Sequence, residues 1–176
     1  MNIEEEKSLV ELAKTDAAAF GALYDEYYRK IFGYALRRTA NLQHAQDVTS
    51  EVFFKALKSI NSFHWRKIPF SAWLYRIASN EVANCFRRNS HYQSSLIPDV
   101  AIVDDLSVKD EFQRCDDFLL VHQYVMKLPQ KYQEVIALRY FEDKTIEDIA
   151  AILGKPENTV KSLLRRGLGK LREVLT

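Results

Sequence analysis

The amino-acid sequence predicts an all-α fold: two small helical domains joined by a flexible linker, the C-terminal one a helix-turn-helix. Apolar residues recur every three or four positions along most of the chain, and no alternation of apolar and polar residues is long enough for a convincing strand. This periodicity breaks over residues 91–112, where Ser, Pro and Asp are frequent. We therefore expect a first domain over 1–90, a linker over 91–112 and a second domain over 113–176.

The first domain is predicted to contain four helices. The first is short and acidic and covers residues 3 to about 14. Asp16 and Asn41 are good N-cap residues for the second and third helices, because their side chains can accept hydrogen bonds from free backbone N–H groups. The third helix ends near Ile60, and a loop over residues 61–69 leads into the fourth.

The second domain is predicted to consist of shorter helices. Pro129 and Pro156 each suit the first turn of a helix, where a missing backbone N–H costs nothing. Thr145 followed three residues later by Asp148 resembles a capping box, and Gly154 suits the end of the helix that they open. The residues available for the buried side of the last helix are Val160, Leu163 or Leu164, Leu168, Leu171 and Val174.

The composition is that of an ordinary globular protein. Of the 176 residues, 47% are hydrophobic, and only five are glycine and four are proline, so the chain can bury a core. No apolar run approaches the roughly 20 residues that a membrane span needs, and the start of the chain is acidic, unlike an export signal. We expect a cytoplasmic protein that does not insert into a membrane.

Residues that could carry catalysis or hold a metal are scattered along the chain. Cys85 and Cys115 have no CxxC spacing, and the four histidines do not cluster. The sequence contains no GxGxxG, P-loop or HExxH pattern. We therefore expect no enzyme activity, no catalytic residues, no metal site and no cofactor.

Charge is distributed unevenly, although the net charge is only +1. Acidic residues dominate the segment 99–117, whereas the segment 155–172 carries six basic residues and one acidic residue. A basic C-terminal segment fits contact with nucleic acid, because neutralising phosphates supplies most non-specific affinity. The alternative is a charged face that is only solvated.

Residues 145–166 have the pattern of a helix-turn-helix. Ala150 and Ala151 are small enough for two helices to cross closely, Gly154 allows a tight turn, and Val160 can fill the space between the helices. In such motifs polar residues at the start of the second helix meet base edges, while Arg and Lys contact phosphates. A hairpin that only packs is the alternative. The second helix would present outward Glu157, Asn158, Thr159, Lys161, Ser162, Arg165 and Arg166.

Residues 128–141 (LPQKYQEVIALRYF), together with this helix-turn-helix, resemble the C-terminal domain of extracytoplasmic-function (ECF, group 4) sigma factors of the bacterial sigma-70 family. Those proteins use this domain to read the −35 promoter element. The resemblance therefore implies that the outward face from Glu157 to Arg166 contacts −35 DNA. Including the first domain, the resemblance covers about residues 10–90 and 113–176.

The third helix of the first domain carries the pattern AQDVTSEVFFKAL at residues 45–57, which resembles the core-binding helix of the same family. Asp47 and Glu51 are four residues apart and share a helix face, so they can offer two carboxylates to basic residues of RNA polymerase. Phe54 could add an apolar anchor. The alternative is that both acids are solvated and Glu51 pairs with Lys55. The expected polymerase-binding residues are Asp47, Val48, Glu51 and Phe54.

Aromatic and basic residues are interleaved in the loop at 61–69 (NSFHWRKIP) and in the helix that follows it. Single-stranded DNA is held by cations on its phosphates and by stacking of its bases. In ECF sigma factors this loop captures a flipped base of the −10 element, so the resemblance implies the same role here. The expected −10 residues are Phe63, His64, Trp65, Arg66, Lys67, Arg76, Asn80, Arg87 and Arg88.

The resemblance implies a factor that binds core RNA polymerase and promoter DNA and directs promoter recognition, DNA melting and transcription initiation. An anti-sigma factor is a candidate further partner, because many relatives are held inactive by one. Two other functions remain open from the residues. A helix-turn-helix regulator with a sensory N-terminal domain explains the second domain but gives no reason for the loop at 61–69. A module that sequesters another regulator predicts no DNA binding even with polymerase present.

Overall fold

The computed structural model describes residues 2–65, 68–89 and 122–175, and within these ranges the secondary structure is helical without strands. The predicted linker at 91–112 lies outside the described residues, as do Arg66 and Lys67. The all-α prediction is confirmed. Helices form at both ends of the chain as two packed groups, described below as the first and second domains.

The first domain is a bundle of four helices: α1 (Ile3–Ala13), α2 (Ala17–Thr39), α3 (Leu42–Ser59) and α4 (Phe70–Asn89). The two predicted caps are confirmed, since Asp16 accepts a hydrogen bond from the Ala18 N–H at 2.8 Å and Asn41 accepts one from the His44 N–H at 2.9 Å. A short 3₁₀ turn, Ile60–Ser62, ends α3 and begins the loop. The largest side chains buried at its centre include Leu23, Ile31, Tyr34, Phe70 and Leu74.

The second domain contains α5 (Gln130–Ile136), a π-helical turn (Ala137–Phe141), α6 (Ile146–Leu153) and α7 (Glu157–Leu175). Pro129 and Pro156 stand one residue before α5 and α7 rather than inside their first turns. Each proline carbonyl accepts from the backbone N–H groups three and four residues later. The prolines therefore start their helices as caps, one position earlier than the sequence predicted.

The helix-turn-helix has the predicted joints. Thr145 and Asp148 form a reciprocal capping box at the start of α6. Gly154 adopts φ 62° and closes the helix, a left-handed conformation that favours glycine. Val160 is fully buried, as expected for a residue that fills the space between α6 and α7.

One prediction about the buried side of α7 is wrong. Leu168 is 39% exposed, whereas Leu164, Leu171 and the preceding Gly167 face inward. A Cβ on Gly167 would lie 3.1 Å from Ile136 Cδ1 and 3.3 Å from Tyr132 Cβ. The absence of a side chain at this position therefore lets α7 pack closely against α5, and this turns Leu168 to the surface.

Replacing the two glycines of α7 by alanine should have opposite effects. Gly169→Ala should raise the free energy of unfolding by about 0.5–1 kcal/mol, because alanine favours helix and, in the described part of the chain, the added methyl group would meet no atom within 4 Å beyond its own stretch of helix. Gly167→Ala should lower it by about 1–3 kcal/mol, because the methyl group overpacks the contact with α5. Urea unfolding of both variants measures the difference, and equal stabilisation would contradict this packing.

The two domains meet at a buried carboxylate. Glu142 accepts hydrogen bonds from the Arg37 guanidinium, with Nε at 3.1 Å, and from the Tyr75 hydroxyl at 2.6 Å. Lys144 Nζ lies 4.5 Å from the centroid of the Tyr75 ring, and His122 Nε2 lies 2.7 Å from the Arg37 carbonyl oxygen. Burial and the adjacent Glu142 raise the pKa of Tyr75, so its hydroxyl stays a donor. Beside these residues, α6 packs against α4.

The neighbouring Arg38 reduces the stabilisation that this contact provides. Arg38 is almost fully buried beside Arg37, and its Nε and Nη1 find no hydrogen-bond acceptor among the residues that the structure describes. An unsatisfied buried donor costs about 1–3 kcal/mol, and more when it is charged. The cost of burying Arg38 therefore partly offsets the stabilisation that the contact between Arg37 and Glu142 provides.

Removing the charge of Glu142 should weaken the contact between the domains. Glu142→Gln leaves Arg37 buried without its carboxylate, which should cost about 3 kcal/mol. Small-angle X-ray scattering should then show a larger radius of gyration. Asp143→Asn is the matched control, because Asp143 is exposed and has φ 49°, which Asn tolerates. Equal radii of gyration for the two variants would contradict the role of Glu142.

Candidate nucleic-acid interface

The structure brings the predicted residues of α7 together on one exposed face. Because Val160, Leu164 and Leu171 point inward, the polar residues between them point away from the domain. Ser162 is half-buried, and Glu157 forms an exposed ion pair with Lys161 at 3.4 Å. Such pairs contribute little stability, so Lys161 remains available to a ligand. The exposed residues are Glu157, Asn158, Thr159, Lys161, Arg165 and Arg166.

Helix α3 presents a face that is both acidic and apolar. Asp47 is exposed and accepts a hydrogen bond from Gln43 Nε2 at 3.1 Å, and Phe54 is 56% exposed. Leu57, three residues after Phe54, is also exposed; its spacing from Phe54 was the sequence signal that could have added it to this surface. Val48 was predicted to belong here, but it is buried in the core of the first domain and is therefore a packing residue.

Lys55 lies between two carboxylates, Glu51 on its own helix and Glu81 on α4, and is closer to Glu81. Lys55 Nζ lies 2.7 Å from Glu81 Oε1 on α4 but 3.4 Å from Glu51 Oε1. The hydrogen bond to Glu81 raises the pKa of Lys55. Glu81 is buried and also accepts from Asn84 Nδ2 at 3.1 Å. The predicted Glu51–Lys55 pair is thus secondary to a tie between α3 and α4 that sequence reasoning missed.

The loop after α3 carries one exposed and two inward-facing aromatic residues. His64 is exposed, with Nδ1 2.8 Å from the Ser62 carbonyl oxygen, and Trp65 is partly buried. Phe63, predicted to contact DNA, is 7% exposed and packs against Trp65, with the ring centroids 6.2 Å apart. Its position is that of a core residue that supports the loop, because it also packs against Phe70 and Trp73.

Two adjoining cavities open beside this loop. The first has a volume of about 530 Å³ and the second about 480 Å³, and both are open to solvent. Trp73 and Ser59 line both cavities. The first is lined by Ser59, Ser62, Phe63, His64, Ile68, Trp73 and Arg76. The second is lined by Lys55, Lys58, Ser59, Trp73, Ile77, Asn80 and Glu81.

Of the predicted residues, His64 and Arg76 line the first cavity and Asn80 lines the second. Arg76 also approaches the helix-turn-helix, since a Cβ on Gly154 would lie 3.4 Å from its Nη2. Arg87 and Arg88 are exposed at the end of α4, where Arg87 donates to the Asn84 side chain. Trp73 is only partly buried and lines both cavities.

Neither a metal cluster nor a membrane span is found in the described part of the chain. No group of three or more His, Cys, Asp or Glu residues among those described could hold a metal ion. Within the same residues, no helix is long and apolar enough to cross a membrane.

Comparison with known proteins decides the family. Residues 23–92 match the family model of sigma-70 region 2, and residues 118–171 match that of sigma-70 region 4. The ECF RNA polymerase sigma factor SigW of Bacillus subtilis is 31% identical, with 96% of this chain and 95% of SigW covered. This chain belongs to the ECF sigma factors. The RNA polymerase sigma-H factor of Pseudomonas aeruginosa is 33% identical over 93% of this chain and 90% of that protein.

Solved structures of sigma factors share the fold. CnrH, in complex with the cytosolic domain of CnrY, superposes with a TM-score of 0.72 at 23% identity, covering 97% of this chain and 96% of CnrH. The sigma factor RpoE of Bartonella quintana, crystallised with the anti-sigma factor NepR, gives a TM-score of 0.67 at 25% identity, covering 89% of this chain and 96% of RpoE.

As an ECF sigma factor, the protein binds core RNA polymerase and directs promoter recognition and transcription initiation. Sigma factors are initiation factors and not enzymes, which agrees with the expectation from the sequence. The family confirms the sigma-factor interpretation over a helix-turn-helix regulator with a sensory domain. The two family matches coincide with the two groups of helices, since region 2 covers most of α2 and all of α3 and α4, and region 4 covers α5, α6 and most of α7.

Proposed function

We propose that the sigma factor uses three separate surfaces, one for RNA polymerase and two for promoter DNA. The first surface is the exposed face of α3, formed by Asp47, Glu51, Phe54 and Leu57, which binds core RNA polymerase. Carboxylates beside exposed apolar side chains suit a basic helix of the partner, with an apolar centre surrounded by charge. The closer pairing of Lys55 with Glu81, at 2.7 Å against 3.4 Å for Glu51, supports this assignment, because the weaker exposed pair with Glu51 can rearrange when a partner binds. Val48 has no part in this surface because it is buried.

Reversing both charges on α3 should abolish polymerase binding without unfolding the protein. Asp47→Lys with Glu51→Lys should weaken binding to core RNA polymerase at least about 100-fold, since like charges across an interface cost several kcal/mol. Glu4→Lys with Glu11→Lys on α1 changes the net charge equally and should leave the affinity unchanged. Fluorescence anisotropy with labelled protein measures both affinities, and wild-type binding by the α3 variant would refute the assignment.

The second surface is the loop with its two cavities, which we propose holds the melted −10 strand. His64 and Arg76 on the wall of the first cavity and Asn80 on the wall of the second, with Trp65 in the same loop, offer the cationic and aromatic side chains that hold a single strand. Arg66, Lys67, Arg87 and Arg88 would neutralise phosphates along the same path. Phe63 supports the loop from beneath rather than meeting a base, because its side chain is buried.

Truncating the loop should separate polymerase binding from DNA opening. In the variant His64→Ala with Trp65→Ala, holoenzyme should form as in the wild type, while open complexes fall by about 5- to 150-fold, the loss of 1–3 kcal/mol of stacking. Permanganate reactivity of the melted thymines measures opening, and co-elution with core polymerase is the control. Normal reactivity in a correctly assembled holoenzyme would exclude the loop from this role.

The third surface is the exposed face of α7, which we propose reads the −35 element. Asn158, Thr159 and Lys161 lie in the first turns of the second helix of the motif, where side chains reach base edges. Arg165 and Arg166 lie farther along the same helix and suit phosphate contacts. The ion pair of Glu157 with Lys161 is exposed and can rearrange on binding.

We also propose a cytoplasmic location and regulation by an anti-sigma factor. Core RNA polymerase and promoter DNA are cytoplasmic in bacteria, so a factor that acts on both must be there. The similar structure of RpoE was determined in complex with the anti-sigma factor NepR. An anti-sigma factor that binds this chain would act by covering the α3 face or the α7 face, each of which is exposed.

A further inference from the structure

The first helix, α1, contains a buried carboxylate with two specific partners. Glu6 is 5% exposed, and its Oε1 accepts hydrogen bonds from the Tyr27 hydroxyl at 2.5 Å and from the backbone N–H of Ser71 at 3.1 Å. Burying a carboxylate is costly unless donors replace water. The same oxygen therefore ties α1 to both α2 and α4.

The tie to Ser71 is at the start of α4, directly after the loop. Ser71 is the second residue of α4 (Phe70–Asn89), so its N–H is one of the free donors of the helix N-terminus. The helix dipole favours a negative charge at this end. Burial, together with the hydrogen bond to Glu6, raises the pKa of Tyr27, so its hydroxyl remains a donor. Glu6 thus holds the first turn of α4, directly after the loop, in place.

A continuous row of aromatic rings connects this point to the loop. The Tyr27 and Phe70 ring centroids are 5.7 Å apart, as are those of Phe70 and Phe63. Phe63 then meets Trp65 edge-on at 6.2 Å. Rings at these separations are in direct contact and transmit displacement, because protein interiors are closely packed. A shift at the start of α4 therefore reaches Trp65.

We propose that Glu6 is a positioning residue for promoter opening, which holds the start of α4 and, through Phe70 and Phe63, places Trp65 and the adjoining cavity for the −10 strand. This role rests on the proposed function of the loop. α1 lies before the residues that match sigma-70 region 2, which begin at residue 23. Helix α1 therefore lies outside the matched region and supports it through the hydrogen bonds of Glu6.

The test compares Glu6→Gln with Glu4→Gln. Both remove one negative charge from α1, but Glu4 is exposed, whereas Glu6 is buried. 5-Fluorotryptophan gives one ¹⁹F resonance for each of the two tryptophans, and Trp73→Phe assigns them.

Glu6→Gln should shift or broaden the Trp65 resonance and slow open-complex formation about 5- to 10-fold, with holoenzyme affinity unchanged within twofold. Glu4→Gln should match the wild type in all three measurements.

Tyr27→Phe keeps the proposal testable if Glu6→Gln does not fold. It removes one of the two hydrogen bonds and should cause a smaller change of the same kind. The proposal is overturned if a folded variant leaves the Trp65 resonance and opening unchanged, or if it weakens polymerase binding and opening equally. Loss of opening in the His64 and Trp65 double variant, with normal behaviour of Glu6→Gln, would overturn the Glu6 role alone. Normal opening in the double variant would instead refute the function of the loop.

Discussion

Buried carboxylates around α4 hold the structure together, and each one is satisfied by donors from a different element. Glu6 accepts from the start of α4, Glu81 on α4 accepts from Lys55 of α3, and Glu142 of the second domain accepts from Tyr75 on α4. Removing one partner of such a contact leaves a buried charge unpaired, which costs several kcal/mol. The position of α4, and with it the cavities on its surface, therefore depends on these contacts.

This arrangement explains why the proposed functional surfaces stay exposed. The inner side of α3 is occupied by buried residues such as Val48 and Val52, so its acids face outward with Phe54 and Leu57. Gly167 lets α7 pack closely on α5, so the polar side of α7 faces away from the second domain. In each case a specific internal contact decides which side chains remain for a partner. Two modest promoter contacts, one in each domain, can then act together when core polymerase fixes their spacing.

Much of the fold could be predicted from local sequence signals. The caps at Asp16 and Asn41, the capping box at Thr145 and the turn at Gly154 depend on residues close together in the chain, and all were predicted correctly. Leu168 was placed wrongly, because helical spacing does not show that the neighbouring glycine takes the inward position. The local pattern predicts where the helices lie in the sequence. It does not decide which of two neighbouring residues faces inward.

The site was predicted less completely, because it depends on contacts between distant residues. Glu6 lies 65 residues from Ser71 in the chain, and Glu142 lies 105 residues from Arg37. No local pattern marks such acids as buried rather than solvated. Phe63 misled for a similar reason: an aromatic residue in a polar loop suggests exposure, but Phe70 and Trp73 fold beneath it. The family resemblance suggested the candidate segments, and tertiary packing decides which of their side chains face outward.

The most direct test of the account is size-exclusion chromatography of the purified chain with sigma-free core RNA polymerase, followed by run-off transcription on genomic fragments and mapping of the start sites. A sigma factor with one promoter contact in each domain should form a one-to-one complex with core polymerase. Its transcripts should start at promoters that share an upstream motif, read by the second domain, and a downstream motif, read by the first. A folded, inhibitor-free chain that forms no complex, or a complex whose transcripts share no motif, would contradict it.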